Sequence, residues 1–229
     1  MERPPSQPRR ETIAADEQPA YDSIVTRFRA WFNAGEAPPE EHFEVGTYFG
    51  ALLNSPNMCS LASQMGGFFR NVGNGTGSYS HADREFVDQV LADEFKSNVV
   101  QHVHVIDAVK SGVRIEAIEA LRKGRVQDLN EDEQLLDRYI RQVVNGTVDN
   151  DTYGRIQTRM GGKRGLVEFT GFVLWLQWIM RMMQALDTGT ISDEEVDGLV
   201  EEARALSEEK GWAGGGGNWH PASQLQTQQ

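Results

Sequence analysis

The stretch REFVDQVLADEFKSNVVQHVHVIDAVKSG, from Arg84 to Gly112, contains the strongest indications of both the fold and the candidate site of this chain. Its apolar residues recur at helical spacing, which predicts two helices separated by a short break at 96–98. Gly112 is suited to end the second helix in a left-handed conformation. The stretch also holds the one pairing of an acidic residue with histidines whose spacing suggests chemistry.

His102 and His104 lie two residues apart on the second of these helices. Because a helix turns about 100° per residue, their rings should point in nearly opposite directions. Two metal ligands on one helix face need a spacing of four residues. We therefore expect no metal site here.

Outside this stretch the chain alternates helical patterns with breaks, and no strand pattern is present. The sequence therefore predicts an all-α fold. Ser80 with Asp83, and Ser192 with Glu195, each resemble a capping box at a helix start. The sequence GNGTGSY, at 73–79, predicts a flexible loop. The predicted helices span about 20–33, 40–53, 56–72, 81–95, 97–111, 115–123, 131–144, 149–160, 163–186 and 192–210.

The ends of the chain differ in composition from the middle. Residues 1–19 are polar and contain four prolines, and residues 211–229 contain a run of four glycines at 214–217, so both segments predict disordered tails. We expect a single helical domain over 20–210. A weak similarity between 82–95 and 162–175 is compatible with an ancient duplication of a helical unit.

Charge and cysteine content exclude several classes of protein. With 34 acidic and 22 basic residues, the net charge of −12 argues against nucleic-acid binding. One cysteine, Cys59, allows neither an intrachain disulfide nor a Cys-x-x-Cys pair. No segment has the apolar length of a membrane span, and no signal peptide is visible, which predicts a cytoplasmic protein without membrane contact.

The order of several features resembles the carboxymuconolactone decarboxylase family, which includes the alkylhydroperoxidase D-like proteins. The resemblance begins with Arg84-Glu85, continues with His104 and the run 108–112, and extends through GVRIEAIEALRKG at 112–124. Similarity to the distal half of longer members widens it to about 21–186. It implies an alkylhydroperoxidase D-like helical bundle that forms a homo-oligomer and acts on a small-molecule substrate.

Matching the family pattern residue by residue puts Glu85 at the glutamate position and His104 at the histidine position. The two cysteine positions of the redox members fall on Ser97 and Val100. Thiol peroxidase chemistry needs two thiols, so this activity should be absent. A carboxylate and an imidazole remain, and these are the usual groups of acid–base catalysis.

The resemblance implies an enzyme of the carboxy-lyase (decarboxylase) type that acts on a small lactone or carbonyl-containing carboxylic acid. His104 would deliver a proton to carbon, and Glu85 would orient the imidazole. Such a reaction would need no metal or organic cofactor. Ser97 and Gln101 would hold the substrate oxygen, and Arg84 either clamps a substrate carboxylate or forms an ion pair. His102 is a candidate second proton carrier or a subunit contact.

Other interpretations stay open from the sequence. The same residues suit an isomerase, a lyase or a lactone hydrolase of secondary metabolism, and the chain also suits a non-catalytic helical oligomer. By themselves, Glu85 is typical of a solvated helix glutamate and His104 of a core histidine. The apolar helix at 166–186 favours a core position combined with a subunit interface.

Overall fold

The all-α prediction is confirmed. The computed structural model describes residues 4–30 and 43–212, and these ranges contain ten α-helices and no β-strand. The helices are α1 (Gln18–Arg29), α2 (Thr47–Leu52), α3 (Pro56–Thr76), α4 (His81–Phe95), α5 (Asn98–Ser111), α6 (Ile115–Arg122), α7 (Glu131–Asn145), α8 (Asn150–Arg159), α9 (Lys163–Leu186) and α10 (Asp193–Lys210). Short 3-10 turns occupy 10–12 and 126–128.

Both predicted capping boxes are confirmed. The Ser80 hydroxyl accepts a hydrogen bond from the backbone N–H of Asp83, whose carboxylate accepts one from the Ser80 N–H. Ser192 and Glu195 make the same reciprocal pair at the start of α10. Gly112 ends α5 in the left-handed region, with φ of 111°. These local signals place α4, α5 and α10 correctly because each satisfies backbone groups that a helix end leaves unpaired.

The predicted loop at 73–79 is wrong in its first half, because α3 continues to Thr76. Gly73 is helical, and a Cβ atom there would lie 2.5 Å from the ring of Tyr79. Tyr79 is fully buried, and its hydroxyl donates a hydrogen bond of 3.0 Å to the carbonyl of Phe69. Gly73 is thus required for close packing of an aromatic ring rather than for a turn.

The two N-terminal helices differ from their predicted bounds. α1 begins at Gln18, slightly before the predicted start at Ala20, and the predicted residues 31–33 lie outside the described residues. α2 covers only the end of the predicted 40–53 helix. It begins after Gly46, whose φ of 85° is not helical. Sequence periodicity missed this break because it does not report a positive φ.

The chain forms two compact units, of which the first comprises 1–68 and 181–189. Residues before α1, where the composition predicts disorder, make specific contacts in this unit. The side-chain amide of Gln7 donates to the Tyr21 hydroxyl and the Phe43 carbonyl, and its oxygen accepts from Val45 N–H at 3.0 Å. The buried core of this unit consists of Tyr21, Ile24, Val25, Phe28, Phe43, Val45, Leu52, Leu53 and Cys59.

The second unit comprises 69–180 and 190–229, and its central element is α4. Every residue from Ala82 to Ala92 is buried, so α4 is covered on all sides. The helix therefore carries charged residues into the interior, where each needs a partner. The prediction of one domain over 20–210 stays a prediction, and the C-terminal tail from 213 lies outside the described residues.

The longest described helix, α9, buries one face and exposes part of another. Phe169, Phe172 and Met180 are buried, as a core role predicts. Val167 and Leu174, however, are 70% and 45% exposed. Over the described residues, no helix combines the length and apolar character needed to cross a bilayer.

Candidate functional site

Helices α4 and α5 form an antiparallel pair whose register fixes the candidate site. Lys96, in the left-handed conformation with φ of 52°, ends α4, and α5 begins two residues later. Contacts then pair Glu85 with His104 and Gln89 with Gln101. Going four residues forward along α4, from Glu85 to Gln89, corresponds to going three residues back along α5, from His104 to Gln101. This is the pattern expected of two antiparallel helices.

The predicted pair of Glu85 and His104 meets in the structure. His104 Nδ1 lies 2.9 Å from Glu85 Oε2, within hydrogen-bond distance. The Glu85 side chain is 7% exposed and the His104 side chain 32%. Among the described residues, no hydrogen bond involves His104 Nε2. The ring therefore contacts the carboxylate through Nδ1, and Nε2 remains available to a ligand.

Two further residues extend this pair, and sequence reasoning missed both. His81 Nε2 lies 3.3 Å from Glu85 Oε1 and 3.0 Å from Asp107 Oδ2. His81 is one turn before Glu85 on α4, and Asp107 is one turn after His104 on α5. The sequence shows that His81 and Glu85 are four residues apart and that His104 and Asp107 are three apart, so each pair lies on one helix face. Whether the two faces meet depends on the register of α4 against α5.

Asp88 is the third residue that sequence reasoning missed. Its Oδ2 lies 3.6 Å from His104 Nδ1, which is too far for a hydrogen bond. Its Oδ1 is buried and has no hydrogen-bond partner. A buried acceptor left unsatisfied costs about 1–3 kcal/mol of folding free energy. Asp88 is therefore a buried carboxylate that lies beside the histidine as an ion pair but makes no hydrogen bond with it.

These buried charges shift one another's pKa. Burial would raise the pKa of Glu85, but hydrogen bonds with His104 and His81 outweigh it and lower that pKa to about 2. Burial would lower the pKa of His104, but the charge of Asp88 and the hydrogen bond with Glu85 raise it to about 9. Burial raises the pKa of Asp88 to about 7. At neutral pH, His104 is therefore a protonated imidazolium facing an ionised Glu85.

Gln101, a predicted substrate ligand, is 4% exposed and lies in a buried polar chain. Its amide nitrogen donates to Gln89 at 3.2 Å, and its oxygen accepts from Arg122. Arg122 continues this chain to Asp197 on α10. The structure therefore places Gln101 between α4 and α6, where its amide already has partners.

The other three predicted ligands, Arg84, Ser97 and His102, differ in their surroundings. Arg84 is 7% exposed, and its Nη1 is buried without a hydrogen-bond partner. Ser97 makes no side-chain capping bond, but it precedes His104 by seven residues, which is about 10 Å along a helix. His102 is half-buried on α5.

The single cysteine has no role in this arrangement. Cys59 is fully buried in the core of the first unit, and burial raises the pKa of its thiol to about 11. A thiol needs a lowered pKa to react as a nucleophile. The chemistry of the candidate site is therefore that of imidazole and carboxylates.

A surface cleft lies in another part of the second unit, between α7 and α8. Its volume is about 560 Å³. Arg159, which lines it, is also paired with Asp83 at the start of α4. The remaining lining residues are Leu135, Asn150, Asp151, Gly154, Arg155 and Thr158.

Comparison with known proteins adds no family to this description. The chain matches no protein-family model, no curated protein and no solved structure. The resemblance to the carboxymuconolactone decarboxylase family therefore depends on the residues named above. Functional inference rests on the chemistry of the α4–α5 site.

Proposed function

We propose that this chain is an acid–base enzyme of the carboxymuconolactone decarboxylase type, acting on a small lactone or carbonyl-containing carboxylic acid. The observation that carries the proposal is the 2.9 Å contact between His104 Nδ1 and Glu85 Oε2. A carboxylate that holds one nitrogen of a histidine orients the ring and leaves the other nitrogen to exchange a proton with a ligand.

Proton delivery to carbon is the step that suits this pair. Loss of carbon dioxide breaks a carbon–carbon bond and leaves the electron pair on the substrate carbon. The Nε2–H of His104 donates its proton to that carbon, which leaves the neutral ring with its Nδ1–H bound to Glu85. Water then restores the proton on Nε2. The raised pKa of His104, about 9, keeps the ring protonated at neutral pH before the step.

Substrate recognition is assigned to Arg84 in this proposal. Its buried Nη1 has no hydrogen-bond partner, and a guanidinium N–H in that state suits a substrate carboxylate. Gln101 is a weaker candidate than the sequence suggests, because Gln89 and Arg122 already occupy its amide. Ser97 lies two helical turns from His104 and suits only the far end of a ligand.

The proposal is tested by turnover of carboxymuconolactone in heavy water. We expect release of carbon dioxide and one deuterium at the product carbon. His104→Ala should lower the rate by about 10²–10⁴-fold, the usual contribution of a general acid. Lys110→Gln, an exposed change on the same helix, should keep the wild-type rate. Full turnover by His104→Ala would exclude the mechanism, and product without loss of carbon dioxide would point to an isomerase or hydrolase.

The homo-oligomer is also part of this proposal. On α9, Val167, Leu174 and Trp178 are 70%, 45% and 37% exposed. Their spacing of seven and four residues puts them on one stripe of the helix. An apolar stripe of this kind is typical of a surface that a second subunit covers.

A further inference from the structure

The α4–α5 pair also brings five potential metal ligands together at one place. Glu85, Asp88 and His104 form one group, and His81, Glu85 and Asp107 form another. Within each group, the potential ligand atoms all lie within 4.8 Å of one another. Glu85 belongs to both groups, so the two share one carboxylate.

The distances in the first group suit a bound ion. His104 Nδ1 lies 2.9 Å from Glu85 Oε2 and 3.6 Å from Asp88 Oδ2. Ligand atoms bound tetrahedrally to Zn²⁺ at about 2.0–2.1 Å are separated by about 3.3 Å. The two observed distances lie on either side of this value, so small side-chain rotations would place all three atoms around one ion.

Asp88 gives an independent reason to expect a ligand at this position. The residue is 4% exposed, and its Oδ1 is buried without a hydrogen-bond partner. Neither oxygen of its carboxylate makes a hydrogen bond among the described residues. His104, at 3.6 Å, is an ion partner of this carboxylate, but a buried carboxylate usually also has hydrogen bonds, and a bound cation would compensate for the missing ones.

The second group supports the first. His81 lies 3.3 Å from Glu85 Oε1, the oxygen that does not face His104, and 3.0 Å from Asp107. Residues that bind a metal are commonly oriented by hydrogen bonds of this kind from an outer layer. His81, itself held by Asp107, therefore keeps the Glu85 carboxylate in position with Oε2 facing His104.

We propose that Glu85, Asp88 and His104 bind one divalent first-row transition-metal ion, such as Zn²⁺. Two carboxylate oxygens and one imidazole nitrogen are a donor set that these ions accept. Three protein ligands leave a fourth position for water, and His104, at 32% exposure, is the most exposed of the three. The inference goes beyond the proposed enzyme activity. It describes an alternative state of the same residues, because the ion and the proton compete for Nδ1.

Metal binding is measured on the full chain without a polyhistidine tag, by equilibrium dialysis against Zn²⁺ and elemental analysis. One Zn²⁺ per chain is expected. Asp88→Asn and His104→Gln should abolish this binding, and His81→Gln should weaken it by about 10–100-fold, as changes in an outer layer do. His102→Gln is the matched control, because it removes the neighbouring histidine, and it should bind like the wild type.

A second measurement uses the wild type alone and does not depend on how the variants fold. In an NMR titration with Zn²⁺, the ring resonances of His104 should shift while those of His102 stay unchanged. No zinc on the folded wild type, equal binding by folded Asp88→Asn, or shifts at His102 without shifts at His104 would each overturn the inference. Neither measurement requires a substrate, so failure of the proposed enzyme activity leaves this test intact.

Discussion

Two glycines of α3, Gly73 and Gly75, differ in what a side chain would meet. A Cβ atom at Gly73 would lie 2.5 Å from the Tyr79 ring, whereas nothing lies within 4 Å of one at Gly75. Gly73→Ala should therefore lower the free energy of unfolding by about 1–3 kcal/mol, the usual cost of overpacking. Gly75→Ala should raise it by up to about 1 kcal/mol, because alanine favours a helix.

Urea unfolding of the two glycine variants and the wild type measures both effects. The pair is a matched control, since each variant adds one methyl group to the same helix. If Gly73→Ala were as stable as Gly75→Ala, the close packing of Tyr79 on α3 would be contradicted.

The charge of Asp88 should control the pKa of His104. In metal-free protein, Asp88→Asn removes a neighbouring negative charge, so the pKa of His104 should fall from about 9 towards its ordinary value of 6.5. NMR titration of the His104 ring measures this shift. An unchanged pKa in the variant would show that Glu85 alone holds the proton.

The same substitution should change how stability depends on pH. Because folding raises the pKa of His104, its contribution is fully present below pH 6.5 and is lost as the pH rises through about 9. Asp88, with its pKa raised to about 7, adds a loss of stability between about pH 4 and 7. Asp88→Asn should therefore lose less stability than the wild type between pH 4 and pH 9, as measured by urea unfolding.

The resemblance identified Glu85 and His104, and the structure brings them together, but Asp88, His81 and Asp107 could not be found in the same way. Spacing along one helix shows which residues share a face. It does not show which face of α5 meets which face of α4. That register depends on tertiary packing of the whole pair, which local sequence does not encode.

At the scale of elements, α4 is fixed at its start by an internal ion pair. Arg159 on α8 donates to Asp83 Oδ1 at 2.7 Å, and both side chains are almost fully buried, at 5% and 0% exposure. Asp83 also accepts the capping hydrogen bond from Ser80. One carboxylate therefore joins the helix start to a distant segment of the chain.

Arg159→Met should lower the free energy of unfolding by about 3–5 kcal/mol, because it leaves the buried carboxylate of Asp83 without its ion partner. Arg155→Met is the matched control on the same helix. Arg155 is about half exposed and 3.9 Å from Asp151, so its loss should cost no more than about 0.5 kcal/mol. Thermal and urea unfolding compare the two, and equal losses would contradict a structural role for the buried pair.

Helix starts were predictable where a short motif satisfies backbone groups, as at Ser80 and Ser192. Bounds failed where packing or backbone conformation decides them, as at Gly73 and Gly46. The burial of α4 on all sides was not predictable from its own periodicity, because neighbouring elements cover the face that carries Glu85. Helix bounds set by packing, and the burial of a helix on all sides, therefore depend on tertiary contacts that a local sequence pattern does not show.

For the whole molecule, the apolar stripe of α9 predicts association. Leu174→Glu puts a charge on the proposed interface and should shift the protein towards monomer in sedimentation-velocity experiments. Val148→Glu, at a residue that is 36% exposed outside α9, should leave the oligomer unchanged. A wild type that sediments as a monomer at all concentrations would contradict the proposed interface.

The tight turn at Lys96 has a consequence for how this protein tolerates change in length. One extra residue inserted between 96 and 98 would rotate the start of α5 by about 100° if the helix kept its path. His104 would then leave Glu85 and Asp88 even though no ligand had been altered. Under that condition, an insertion in this turn would separate His104 from Glu85 and Asp88 while both helices remained folded. Substitutions on the exposed face of α5 would leave both the helices and these contacts in place.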